Sequence, residues 1–195
     1  MKLYFATKNS RKVETAQREL SEFVIEIVQY DIDFSEPRSY RLEEIAAQKA
    51  REALGYLHAP LIAVDAGFYL ERWPNFPGPF TNHALETLGL KGMLKLVDGE
   101  DRACRYMHVV AYVDEKLENP IFFSSSVEGS LSGEIDESPL RIGGSDIDRI
   151  FVPDGYDKPV SSMTDDEREE YRKGKTPVFT DFGGWLVNNR WNPDR

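Results

Sequence analysis

The sequence predicts an α/β fold, and three observations carry it. Strand-like apolar runs alternate with helical stripes in the order β, α, β, α, β up to Glu71. Two further runs, "ACRYMHVVAYVDE" and "PIFFSSSVEGSLSGEI", are joined through "KLEN" and read as an antiparallel strand pair. With 195 residues, the chain suits a single domain, residues 1–195, and is long enough to bury a substantial core.

Taken in order, Leu3 to Ala6 form a first strand, which breaks on Thr7, Lys8, Asn9 and Ser10. A helix from about Arg11 to Phe23 follows, with Val13, Ala16, Gln17 and Leu20 as its stripe. "FVIEIVQYDIDF" alternates as a strand. "EPRSYRLEEIAAQKAREALGYL" begins as a polar loop and becomes a helix, with Leu42, Ile45, Ala46, Lys49, Ala50, Ala53 and Leu54 on related faces. Gly55 and Pro60 punctuate the chain before "LIAVDAGFYLE", a buried strand that runs into an acid and a glycine. "RWPNFPGPFTNHALETLG" is a Pro/Gly loop leading into a helix that "LKGMLKLV" extends or repeats. After the strand pair come loop and short strand, and then a helix in "TDDEREEYRKGK", capped by Thr164 with Asp165, Asp166 and Glu167 in its first turn. The remainder reads as short, ending in a partly ordered tail, "NNRWNPDR".

Composition narrows the function. A formal net charge of −10 argues against a nucleic acid polymer as partner, because such contact needs a basic surface. No apolar stretch approaches the roughly 18 residues of a membrane span, and the N-terminal residues show no signal-peptide pattern. The single cysteine, Cys104, fits a reducing cytoplasm, and its strand-like surroundings suggest a buried, inert thiol. A small anionic ligand needs only a local cluster of cations, and a divalent metal would explain carboxylates in the same site.

Several residues suit that chemistry. A strand that empties through small polar residues into a helix N-terminus turns N–H groups and the positive dipole end outward, which favours phosphate. Arg11 and Lys12 fall in that first turn, where cations oppose the dipole unless an anion is present; an ordinary N-cap with solvated lysines also fits. Asp65 follows "LIAV" and precedes Ala66 and Gly67, placing a lone acid where an α/β sheet delivers functional groups or where an Asp caps a turn. Glu36 is a second loop acid, and the two together would form the oxygen half of a magnesium site. Lys49 lies on an alanine-rich helical face, from which it can snorkel or reach an anion. "GGSDID" offers a flexible turn and the acids Asp146 and Asp148, and "REEYRKGK" gathers Arg168, Arg172, Lys173 and Lys175 where the helix dipole alone favours cations. His58, His83 and His108 have no metal-ligand spacing and receive no catalytic role.

With these residues in hand, the chain resembles the inosine triphosphate pyrophosphatase family, over most of its length and in order. "FATKNSRKVE" looks like the family's phosphate motif, which carries over to Thr7, Asn9 and Lys12, with Lys8 beside them. "DFSEPRS" is similar to the segment with a metal-binding acid, here Glu36, and "EEIAAQKA" to the helix with a substrate-contacting lysine, here Lys49. "VDAGFYLERWPNFPGPF" resembles the stretch holding the metal-binding and catalytic acid, Asp65, followed by a Pro-Gly-aromatic loop ending in Phe80. The late segment "GGSDIDRIFVPDGYDKPVSSMTDDER" is similar to the family's aromatic-Asp-Pro and Pro-x-Gly-Tyr motifs, giving Asp148. The resemblance implies Asp65, Lys12 and Lys49 as catalytic residues and Thr7, Lys8, Asn9, Lys12, Lys49, Phe80, Asp148, Arg168, Arg172 and Lys173 as substrate contacts, with Mg2+ on Glu36 and Asp65. It also implies an elongated mixed β-sheet flanked by helices, two lobes with the nucleotide cleft between them, a homodimer, and hydrolysis of a nucleoside triphosphate to monophosphate and pyrophosphate.

The departures concern the base. Ile147 stands where the family has an aromatic before the late Asp, Arg149 replaces a proline, Ala66 replaces a second acid or hydroxyl, and Tyr171, Arg172 and Lys173 stand where Ser-His-Arg is usual. They suggest a base pocket diverged from the inosine or xanthosine one, since a site hydrogen-bonded to one base penalises another. The alternatives are a noncatalytic nucleotide-binding or regulatory protein on the same scaffold and a phosphatase that releases orthophosphate.

Overall fold

A computed structural model of the chain describes residues 1–33, 38–140, 144–174 and 178–190. In chain order its elements are β1 (Lys2–Ala6), α1 (Ser10–Glu19), β2 (Glu26–Tyr30), α2 (Leu42–Leu57), β3 (Leu61–Leu70), β4 (Pro77–Gly78), α3 (Thr81–Lys95), β5 (Ala103–Val113), β6 (Ile121–Leu131), β7 (Phe151–Pro153), α4 (Asp165–Gly174) and α5 (Val178–Asn189). The sheet runs β2-β1-β3-β5-β6-β7, with β4 also paired to β3. β1 is parallel to both β2 and β3, whereas β3 with β4 and β6 with β7 are antiparallel. This is the mixed α/β class that the alternating pattern predicts. Among the described residues, no helix is long and apolar enough to cross a membrane.

The chain divides into two compact units, one comprising Met1–Asp65, His108–Ser125 and Thr176–Arg195, the other Ala66–Met107 and Ser126–Lys175. In the first unit, alternation along β1 sends Leu3 and Phe5 into a core shared with Ala16 of α1, Leu20 at its C-cap, Ile62 and Val64 of β3, and Val110 and Tyr112 of β5. α1 ends a turn earlier than its stripe suggests: Leu20 leaves helical geometry, Ser21–Phe23 form a 3-10 turn, and Val24 is left-handed at φ 55. The same break confines β2 to Glu26–Tyr30.

The segment expected to be short after α4 is instead the helix α5. Val178, Phe179, Phe182 and Leu186 form its buried stripe and complete the first core. Gly183 and Gly184 hide this helix in the sequence, because paired glycines normally argue against one. Gly183 has a packing reason: an added Cβ would lie 2.5 Å from Phe23 Cδ2 and 2.7 Å from Leu20 Cδ2. Gly183→Ala is therefore expected to destabilise the fold by about 1–3 kcal/mol through overpacking, despite alanine's better helix propensity, as a lowered midpoint in urea unfolding would show. Asn188 and Asn189, expected in the tail, belong to α5, and Arg190 beyond them lies 3.7 Å from the Asp114 carboxylate.

The second unit has its own core, in which Phe68, Tyr106 and Phe151 meet edge to face at 4.9 to 5.8 Å. α3 spans both predicted segments but kinks at Gly89, whose φ is 63. Thr164 caps α4 as expected. The Glu167 N–H donates to Thr164 Oγ1 at 3.2 Å, and the Thr164 N–H donates to the Glu167 carboxylate at 2.7 Å. Cys104 is buried, and desolvation pushes its thiol pKa well up, consistent with the inert thiol expected from the sequence.

Candidate functional site

The turn after β1 is held from several sides. The Thr7 N–H donates to the Tyr30 carbonyl at 3.1 Å, Gln29 Nε2 donates to the Thr7 carbonyl at 3.0 Å, and the Asn9 N–H donates to Thr7 Oγ1 at 3.1 Å. Asn9 is the N-cap of α1, and its Oδ1 accepts from the Arg11 and Lys12 N–H groups at 3.0 and 3.4 Å. The expected cradle of outward N–H groups is thus partly closed by Asn9 itself. The first turn of α1 carries no acid, so Arg11 and Lys12 remain set against the dipole, as the sequence suggests. Lys8 instead pairs with Asp33, and this hydrogen bond raises its pKa above the usual lysine value. Gln29 and Asp33 escape a sequence reading because the pairing of β2 with β1 brings Gln29 to the turn and a side-chain ion pair from beyond β2 brings Asp33.

Asp65 belongs to β3, and its side chain receives the ammonium of Lys49 from α2: Nζ to Oδ1 is 2.9 Å, with each side chain 12% exposed. α2 buries Ala46, Ala50 and Ala53, and on that small-residue face Lys49 supplies a long cation to the acid. Lys12 extends from α1 to the Val64 carbonyl, 3.5 Å from its Nζ, so a second ammonium reaches the residue before Asp65. Lys49 and Asp65 sit in a largely desolvated setting, where charges act most strongly, and part-buried Lys12 brings a second cation near them. Glu36, the other expected metal acid, lies outside the described residues. Among the described residues, no group of three or more His, Cys, Asp or Glu side chains gathers for a metal ion.

The second unit holds Phe80, Asp148, Arg168, Arg172 and Lys173. Phe80 is part-exposed at the start of α3, where its N–H donates to the Pro77 carbonyl at 3.1 Å. β4 lies tight against β3 there: a Cβ on Gly67 would come within 2.8 Å of the Gly78 backbone, and Gly78 has φ 58, so glycine is needed at both positions. That is the physical reason for Gly67 two residues after Asp65. Asp148 sits in a 3-10 turn, Asp146–Arg149, where its Oδ2 accepts from the Ser145 N–H at 2.9 Å in a capping box. Burial, then the Asp148 charge, raises the Tyr106 and Tyr171 phenols above their ordinary range. Tyr106 and Ser145 were not visible as neighbours of Asp148 from sequence; the alternating strand "ACRYMHVV" is the one local signal that aims Tyr106 inward. Arg168 is buried, and its Nε donates to the Val160 carbonyl at 3.1 Å. Arg172 is exposed and lies 3.7 Å from Glu169, one turn away, and Lys173 lies in α4.

Comparison with known proteins agrees with this architecture. A family model described as the Ham1 family matches residues 3–174. The chain is 35% identical over 190 residues to a dITP/XTP pyrophosphatase of Methanopyrus kandleri, covering 97% of this chain and 98% of that protein. It is 31% identical over 191 residues to a dITP/XTP pyrophosphatase of Thermococcus kodakarensis, covering 97% and 99%. A solved HAM1 protein structure from Coxiella burnetii superposes with a TM-score of 0.81 at 19% identity, covering 96% of this chain and 99% of that one. The Staphylococcus aureus Ham1 protein gives 0.78 at 19%, covering 97% and 100%; at such identities the likeness speaks for the fold alone. The match over residues 3–174 and the near full-length relatives establish what the order of motifs led one to expect: the chain belongs to the Ham1 family.

Proposed function

We propose that this chain hydrolyses a nucleoside triphosphate to the monophosphate and pyrophosphate. The observation that carries it is the Lys49–Asp65 pair with Lys12 beside it, two cations and a carboxylate gathered where β3 delivers its acid. Relatives named dITP/XTP pyrophosphatase make a 6-oxopurine triphosphate the first substrate to test.

In this reading Lys12 and Lys49 bind phosphate oxygens and offset the charge that develops on them, with Thr7, Lys8 and Asn9 as neighbouring contacts. Asp65 orients a water and takes its proton. The water oxygen bonds to phosphorus, the bridge between the α- and β-phosphoryl groups breaks, and pyrophosphate departs with the bridging oxygen. Phe80, Asp148, Arg168, Arg172 and Lys173 are assigned to the rest of the substrate. Mg2+ suits a hard carboxylate oxygen, and Asp65 with Glu36 would hold it. When bound, the ion neutralises phosphate charge and makes water easier to deprotonate.

A homodimer and a cytoplasmic setting are carried as parts of the proposal, the first checked by light scattering in solution. Ile147 is fully buried, so its difference from an aromatic does not by itself argue for a different base. The base is decided by a panel of canonical, deaminated and modified triphosphates assayed with Mg2+ for pyrophosphate. The expected result is preference for dITP and XTP. Selective turnover of another nucleotide would show a diverged pocket, and tight binding without turnover would favour a regulatory protein.

A further inference from the structure

Asp65 already has a counterion. Lys49 Nζ lies 2.9 Å from its Oδ1, both side chains are 12% exposed, and Lys12 Nζ rests 3.5 Å from the Val64 carbonyl one residue earlier. A carboxylate paired in this way differs from one presented to solvent. A divalent cation arriving alone must displace or share with an ammonium held in a mostly buried place. Breaking a buried ion pair without replacement is costly, because it leaves a charge uncompensated.

A cation arriving on a triphosphate meets a different balance. Its phosphate oxygens receive the Lys49 ammonium as Asp65 turns to the metal, so two ion pairs exchange partners and no buried charge is stranded. The Lys12 and Lys49 ammonium groups that disfavour a bare dication favour the net negative metal–triphosphate complex.

We infer that Lys49 guards Asp65 against free divalent cations and admits the metal only together with a triphosphate. This role rests on the reading of Asp65 as a metal-binding acid and adds to it an order of assembly. Lys49 is in this respect a positioning residue, acting on the metal through the carboxylate it holds.

The test is direct cation binding at pH 8, followed by loss of the free Mn2+ signal in electron paramagnetic resonance. Mn2+ alone is titrated into the full chain as wild type, Lys49→Met, Lys49→Gln and the double variant Lys49→Met/Asp65→Asn, each checked for folding by circular dichroism. Either neutral variant is expected to bind Mn2+ about tenfold or more tightly than wild type, a gain that Asp65→Asn removes. Wild type is expected to retain Mn2+–tripolyphosphate in equilibrium dialysis far better than Mn2+ alone; this comparison carries the test if neither variant folds. Folded Lys49 variants with unchanged or weaker Mn2+ affinity, or wild type binding Mn2+ as well alone as with tripolyphosphate, would overturn the guard. None of these readouts needs turnover. A gain in Mn2+ affinity without pyrophosphate from any nucleotide would keep the guard and sink the activity, and pyrophosphate release with unaltered Mn2+ affinity would do the reverse.

Discussion

Asp65→Asn is expected to lower kcat/KM for pyrophosphate release by about a thousandfold, while nucleotide binding persists. The amide keeps the shape of the carboxylate but loses the charge that faces Lys49 at 2.9 Å. It cannot take a proton from water, a step worth roughly a hundred- to ten-thousandfold when a positioned side chain performs it. It is also a poorer oxygen donor to a dication, so both of Asp65's proposed contributions fall together. Stability is expected to fall too, because Lys49 keeps its charge in a site with 12% side-chain exposure and faces a neutral partner. A coupled pyrophosphate assay and a thermal melt separate the two effects. Activity that survived the substitution in a folded variant would remove Asp65 from the chemistry and favour a binding protein.

Lys49→Met should be the second most damaging change. It removes a cation proposed to neutralise phosphate charge in the transition state, for which a loss of about a hundredfold in kcat is expected. It also strands Asp65, and removing one member of a buried pair costs about 3–5 kcal/mol in typical cases. Combining it with Asp65→Asn makes the sharper measurement. In the double variant neither charge is left alone, so the stability losses should be less than additive, with a coupling of about 0.5–3 kcal/mol from the double-mutant cycle. Additive losses would mean that the two side chains do not depend on one another in the folded protein. Lys49→Arg is not expected to restore full activity, because a guanidinium fork is larger than an ammonium and differently shaped.

Both residues were legible in the sequence, for a common reason. Asp65 breaks an apolar run, and Lys49 breaks an alanine face; each is a local choice that contradicts its surroundings, and such conflicts gather at functional sites. Their meeting was not legible, since they lie sixteen positions apart across helix, turn and strand and only the fold brings them to 2.9 Å. The turn at Thr7 to Ser10 was readable from dipole and capping chemistry alone, yet its supports come from afar, Gln29 through strand pairing and Asp33 through an ion pair. α5 escaped because Gly183 and Gly184 weigh against a helix in propensity, whereas tertiary packing against Leu20 and Phe23 demands a residue without a side chain. Gly67, by contrast, looked like a companion of the acid and proves to be the place where β4 presses against β3.

Product identity separates a pyrophosphatase from a phosphatase. Wild type is incubated with dITP or XTP and Mg2+, and the products are resolved by phosphorus NMR, with Asp65→Asn alongside. Monophosphate and pyrophosphate in equal amounts are expected from wild type, with no comparable signal from the variant. Diphosphate with orthophosphate, or pyrophosphate formed equally by the variant, would contradict it.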